Sequence, residues 1–218
     1  MPGKMRQILA LVMALMFVLP LTACSSVEGS YKKAQKQMAA GDYAKAAETF
    51  ASLGSYEDAS TLATYCRACA AAEAGDYRTG IATLRSLGEY KDCAMRVTYY
   101  TARQLEDAAG TSDWDTMYDA QDVYEDVPLF LDSAERIAAL DQRIAAAKEA
   151  EYDAAVKAGE AGQYAAAISS FRHLGGRYKD SSTRATYYAV RRDEASLKGT
   201  TDQDALIAVA GRYTEMGE

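Results

Sequence analysis

The sequence predicts an all-α chain, a right-handed α-solenoid of stacked helix pairs behind an N-terminal signal peptide. Three observations predict it. Gly41-Asp42-Tyr43 recurs 34 residues later as Gly75-Asp76-Tyr77, and a fixed period of about this length marks a helix-turn-helix repeat array. A second phrase, Leu-Gly-x-Tyr-x-Asp, follows each copy at the same offset, as Leu53-Gly54-Ser55-Tyr56-Glu57-Asp58 and Leu87-Gly88-Glu89-Tyr90-Lys91-Asp92. Between the phrases, apolar residues keep the spacing of amphipathic helices.

At the amino terminus, Lys4 and Arg6 precede an apolar run from Ile8 to Leu21, with Pro20 near its end and Leu21-Thr22-Ala23-Cys24 closing it. A charged start, a short apolar core and small residues before the break make residues 1–23 a secretory signal peptide. The run is shorter than the ~20 residues that span a bilayer comfortably. Residues 24–30 are expected to be a short tether.

The repeats follow in two blocks, 31–146 and 147–218. In the first unit Tyr43, Ala46, Ala47, Phe50, Ala51 and Leu53 fall on one helical stripe. Tyr77, Ile81, Leu84 and Leu87 form the next, and Tyr164, Ala167, Ile168, Phe171 and Leu174 a later one. These are the second, or B, helices of their pairs. Gly41, Gly75 and Gly162 can take the left-handed conformation that ends a helix, and Asp42 and Asp76 can cap the helix that follows. Asp58, Asp92, Asp132 and Asp180 hold the matching place before the first, or A, helices, expected over Asp58–Ala74, Asp92–Ala109 and Asp180–Lys198. The later copy, Leu174-Gly175-Gly176-Arg177-Tyr178-Lys179-Asp180, carries one inserted residue. A weaker unit intervenes, with Ser112-Asp113-Trp114 for the first phrase and Phe130-Leu131-Asp132 for the end of the second. From Asp132 to Ala161 there is no Pro and no Gly before Gly159, so the stretch is one long helix or two joined near Ala150. A fifth unit opens at Gly199. Glu215-Met216-Gly217-Glu218 starts the second phrase without its Tyr-x-Asp, so the second block is expected to be incomplete and the chain to be a recognition module of a longer envelope protein in one reading.

On these residues the chain resembles the tetratricopeptide repeat family, whose unit carries Gly-Asp-Tyr between its helices. Gly41, Tyr43, Ala46 and Phe50 match, as do Gly75, Tyr77, Gly80 and Leu84. The resemblance covers roughly residues 30–218. Leu-Gly-x-Tyr-x-Asp stands where that family usually closes a unit with Pro. Leu21-Thr22-Ala23-Cys24 resembles the lipobox of bacterial lipoproteins, which implies lipid attachment at Cys24 through a diacylglyceryl group, with or without an N-acyl chain such as palmitate. Two acyl chains anchor stably, at roughly 0.8 kcal/mol per buried methylene. A tether of about six residues reaches only ~20 Å, so the repeats would work close to the bacterial cell membrane on its extracytoplasmic face. Ser25 would also permit an outer membrane.

The whole chain carries a net charge of −7. Removing Lys4 and Arg6 with the signal leaves −9, which argues against nucleic acid and against wide contact with anionic headgroups. Cys66, Cys69 and Cys93 remain. The first two lie inside a predicted helix rather than at the N-terminus that activates a thiol, so small core filler is the preferred reading, with a Cys66–Cys93 disulfide as the alternative that export permits. The lone His173 leaves little for a metal site. No phosphate loop, zincin helix or nucleophile elbow is present, so no catalytic residue, cofactor or metal is expected.

The positive signal is tyrosine, 16 in all. The resemblance places A helices along a concave groove, with Tyr31, Tyr65 and Tyr152 at one position and Tyr99 and Tyr187 near it. These five either offer aromatic area to a protein or peptide partner or pack between units. The expected function is a lipid-anchored, non-catalytic binding scaffold, with a glycan- or small-molecule-binding lipoprotein as the alternative.

Overall fold

The computed structural model describes residues 26–216. The signal segment and Cys24, the expected lipid site, lie outside them. The described residues form ten helices and no strands: α1 over 26–39, then α2 Tyr43–Ser52, α3 Ala59–Glu73, α4 Tyr77–Ser86, α5 Cys93–Ala109, α6 Trp114–Glu125, α7 Ser133–Glu160, α8 Tyr164–Leu174, α9 Ser181–Ser196 and α10 Gln203–Glu215. The all-α class and the repeating pairs of helices are as the sequence predicts.

Residues 26–30 were expected to be tether and are helical. Glu28 and Lys32, one turn apart, pair at 2.6 Å and support that first turn. The stretch after Asp132 is one continuous helix, α7, so the expected block boundary at 146 falls within it. No Gly or Pro interrupts it before its last turn.

The turns explain the periodicity. At Gly41 (φ 80°) the Asp42 N–H donates to Gln37 O at 2.9 Å and the Gly41 N–H to Met38 O at 3.1 Å. Gly75 and Gly162 repeat both bonds. This is the Schellman ending, which needs a left-handed residue after the helix. In the other phrase the left-handed residue is not the glycine alone. Glu57, Lys91, Leu131 and Lys179, each directly before the Asp, have φ between 47° and 51°. That conformation turns the chain so that the residue after the Asp, Ala59, Cys93, Ser133 or Ser181, enters the core fully covered.

The chain divides into two compact units. Among the described residues, one holds 26–104 with Val123–Ser133, the other Leu105–Asp122 with 134–216. In the first, α2 packs on α3 and α3 on α4, burying Phe50, Leu62, Cys66, Cys69 and Leu84. Gly80 lets α4 approach α3, because a Cβ there would lie 2.7 Å from both the Ala68 carbonyl and the Ala72 Cβ. In the second, α8 packs on α9 around Tyr152, Ala155, Ile168, Phe171, Leu174 and Tyr188, and α10 lies against α9 without burying a residue of its own. Gly159 makes room for the Tyr188 ring, which a Cβ would meet at 2.2 Å.

Candidate functional site

Four of the five tyrosines singled out by the repeat occupy one structural role. Tyr31 donates its hydroxyl to Asp58, Tyr65 to Asp92 at 2.5 Å, Tyr99 to Asp132 at 2.5 Å, and Tyr152 to Asp180. In every case an A-helix ring reaches forward to the aspartate that opens the next A helix. Each ring also meets an aromatic from the intervening turn edge-on: Tyr31 with Tyr56, Tyr65 with Tyr90, Tyr99 with Phe130, and Tyr152 with Tyr178. Tyr65, Tyr99 and Tyr152 are only 3%, 4% and 9% exposed, so the chain itself covers the surface that a partner in a groove would touch. Tyr31 and Tyr187 are half-buried. Tyr187 rests edge-on against Tyr188 and Tyr213.

These contacts revise the role of the aspartates. Side-chain capping was expected throughout, yet Asp58 and Asp180 make no cap hydrogen bond. Asp58 instead accepts Tyr31 on one oxygen and Tyr90 on the other, the latter at 2.6 Å. Burial works against its charged form, but the two hydroxyls outweigh that and hold its carboxyl below the usual range. The same bond pushes Tyr31 up to about 12. Capping occurs before B helices, where Asp76, Asp113 and Asp202 accept the N–H three residues on. Asp42, also expected to cap, does not.

One functional-looking residue escaped sequence reasoning. Arg96 on α5 is 6% exposed. Its Nε donates to the Tyr65 hydroxyl at 2.5 Å and to Asp92 at 3.1 Å. Its Nη2 donates to the Tyr43 hydroxyl at 2.7 Å and its Nη1 to the Tyr100 hydroxyl at 3.3 Å. The guanidinium also lies over the rings of Tyr43 and Tyr65, 5.1 and 5.4 Å from their centroids. A buried cation needs such company, because desolvation is costly unless charge and hydrogen bonds are matched. The available signal was Asp-x-x-x-Arg at 92–96 and again at 180–184, where Arg184 pairs with Asp180 at 3.0 Å.

Cys66, Cys69 and Cys93 are buried and free. Burial pushes the Cys66 thiol up to about 11 and the Cys69 thiol up to about 12, which suits core filler and not a nucleophile.

The second unit carries its own cluster. Trp114 stacks on His173 at 4.4 Å. His173 meets Asp115 through Nε2 at 2.6 Å and Glu151 through Nδ1 at 2.9 Å, while the Trp114 indole N–H donates to Glu151 at 2.7 Å. Lys148 lies over the Trp114 ring at 4.4 Å. The hydrogen bonds to Asp115 and Glu151 raise the His173 pKa. Elsewhere in this unit a hollow of about 220 Å³ is lined by Gly159, Glu160, Tyr164, Tyr187, Tyr188 and Arg191.

Among the described residues no group of three or more His, Cys, Asp or Glu is placed to hold a metal ion, and no helix is long and apolar enough to cross a membrane. Searches against known protein families, curated proteins and solved structures found no match.

Proposed function

We propose that the chain is a lipid-anchored, non-catalytic scaffold of tetratricopeptide-like repeats. It is held at Cys24 on the extracytoplasmic face of a bacterial cell membrane and docks a protein or peptide partner. The observation that carries the reading is the Tyr-to-Asp tie made four times between successive A helices. The recurrent polar residues, which are the natural place to look for chemistry, are engaged in joining one helix pair to the next. A molecule built by repetition in this way offers extended surface. Leu21-Thr22-Ala23-Cys24 supports the anchor, and the net charge of −7 favours a protein partner over nucleic acid.

The test is in intact cells. Cys24→Ser should abolish incorporation of labelled palmitate and release the protein from the membrane fraction, and cross-linking of the wild-type chain should yield a defined protein adduct. Continued membrane retention without label would sink the anchor, and absence of any protein adduct would sink the scaffold. A second reading, binding of a glycan or small molecule, is favoured by the hollow beside Tyr164, Tyr187, Tyr188 and Arg191. Retention on a glycan array that Tyr187→Ala removes would support it.

A further inference from the structure

Three turns of the first unit close in the same way, though the second residue is a left-handed glycine (Gly54, Gly88) in two of them and Pro128 in the third, and they allow an internal comparison. In Leu53–Asp58, Leu87–Asp92 and Val127–Asp132 the fourth residue donates its N–H to the first, at 3.2, 3.3 and 3.0 Å. The residue before the Asp is left-handed in all three, with φ of 47°, 50° and 51°. The inward positions keep their character. Val127 stands for leucine. Phe130 stands for tyrosine and meets Tyr99 edge-on at 6.0 Å. Asp132 accepts the Tyr99 hydroxyl.

The outward positions do not keep theirs. Ser55 and Glu89 correspond to Leu129, which is 97% exposed, and Glu57 and Lys91 correspond to Leu131, which is 54% exposed. The two residues before the turn change too. Ala51-Ser52 and Arg85-Ser86 become Glu125-Asp126, both exposed. Pro128 replaces the glycine, which stiffens the turn and lowers the cost of ordering it on contact. Folding gains nothing from a leucine facing water, and an exposed left-handed leucine is disfavoured twice, by its conformation and by its hydration. In the two regular turns, which close by the same hydrogen bond and the same left-handed residue, polar side chains hold both outward positions.

We propose that the Val127–Asp132 turn is a docking knob for a protein that offers an apolar pocket with Lys or Arg on its rim. Leu129 and Leu131 fill the pocket, and Glu125 and Asp126 meet the basic rim, which gives the contact register and attraction at a distance. The same two acids disfavour contact with an anionic lipid surface. The proposal rests on the reading of the chain as a binding scaffold and supplies a surface for it.

The experiment places a photo-reactive phenylalanine at 129, at 89 as the matched control and at 187, each in the full chain in intact cells. Position 129 should give a discrete protein adduct that mass spectrometry maps to an apolar site flanked by Lys or Arg. Glu125→Lys with Asp126→Lys, or Leu131→Ser, should lower its yield by about fivefold or more, and position 89 should give none. Equal labelling at 89 and 129, adducts only with lipid or with a second copy, or a yield indifferent to the charge reversal overturns the proposal. A protein adduct at 187 without one at 129 leaves the scaffold reading standing and removes the knob, whereas no protein adduct at either position removes both. Leu129→Ser with Leu131→Ser should leave the melting temperature unchanged within about 2 °C. A larger fall assigns the leucines to packing and overturns the proposal.

Discussion

Asp58 is the best place to see what the repeat phrase is for. Its carboxylate sits half-buried between the hydroxyls of Tyr31 and Tyr90, so one side chain ties a ring from the preceding A helix to a ring from the following turn. An amide in its place keeps the shape but loses two charge-assisted bonds. Asp58→Asn is therefore expected to cost about 1.5–3 kcal/mol, measured as a shift in urea midpoint at constant slope. The residue before it carries the opposite opportunity. Glu57 is left-handed at φ 47°, which an L side chain adopts at a cost of roughly 1–2 kcal/mol. Glu57→Gly removes that strain against the greater entropy glycine loses on folding, and a net gain of up to ~1 kcal/mol is expected. A loss in the same urea titration would show that the Glu57 side chain contributes something the geometry does not reveal. The sequence placed these aspartates correctly at the starts of helices. It misassigned their bonds, because capping is a local rule and the competing tyrosine hydroxyls arrive from 27 and 32 residues away.

At the scale of the helix, two glycines separate propensity from packing. Gly80 lies in α4 against the Ala68 carbonyl and Ala72, and both neighbours belong to the α3 helix and cannot swing aside. Gly80→Ala should destabilise by about 1–3 kcal/mol despite alanine's better propensity. Gly29 in α1 has nothing within 4 Å of where a Cβ would stand, and Gly29→Ala should gain about 0.5–1 kcal/mol. Thermal melts of the two variants, run together, check the sign of each. Helices and turns were largely legible in the sequence because their signals are local: the glycine at a Schellman ending, the stripe at 3.6-residue spacing, the absence of a breaker through α7. The Arg96 site was not, because its partner Tyr43 is 53 residues away. The pair with Asp92 alone looks like any surface ion pair on a helix. The start of α1 was missed because Val27-Glu28-Gly29-Ser30 has little apolar pattern, and the Glu28–Lys32 pair counts only once the turn exists.

Across the molecule, titration of these ties should set the pH range of stability. The folded-state pKa values of Asp58 and Asp180 are lowered. Their contribution is therefore present above the ordinary carboxyl value near 4 and is lost as pH falls through the lowered values. His173 is raised, so its contribution is complete below about 6.5 and is lost as pH rises through the raised value. Tyr31, raised to about 12, holds until about pH 10 and fades above it. Melting temperature should therefore peak between about pH 4.5 and 6.5. His173→Asn should flatten the fall above that window and leave the acid limb intact, and an unchanged neutral limb in that variant would count against the clasp with Asp115 and Glu151. The start of α1 has a further consequence at this scale. The helix is under way by residue 26, with Ser25 alone between it and Cys24. On the proposed anchor the described chain is a helical rod from the second residue after the acylated cysteine. The 14 residues of α1 rise ~21 Å at ~1.5 Å each. The reach of the first unit over the membrane is thus governed by how far that rod can tilt at its foot, and fluorescence anisotropy of a label on α1 should report slow, narrow-angle motion.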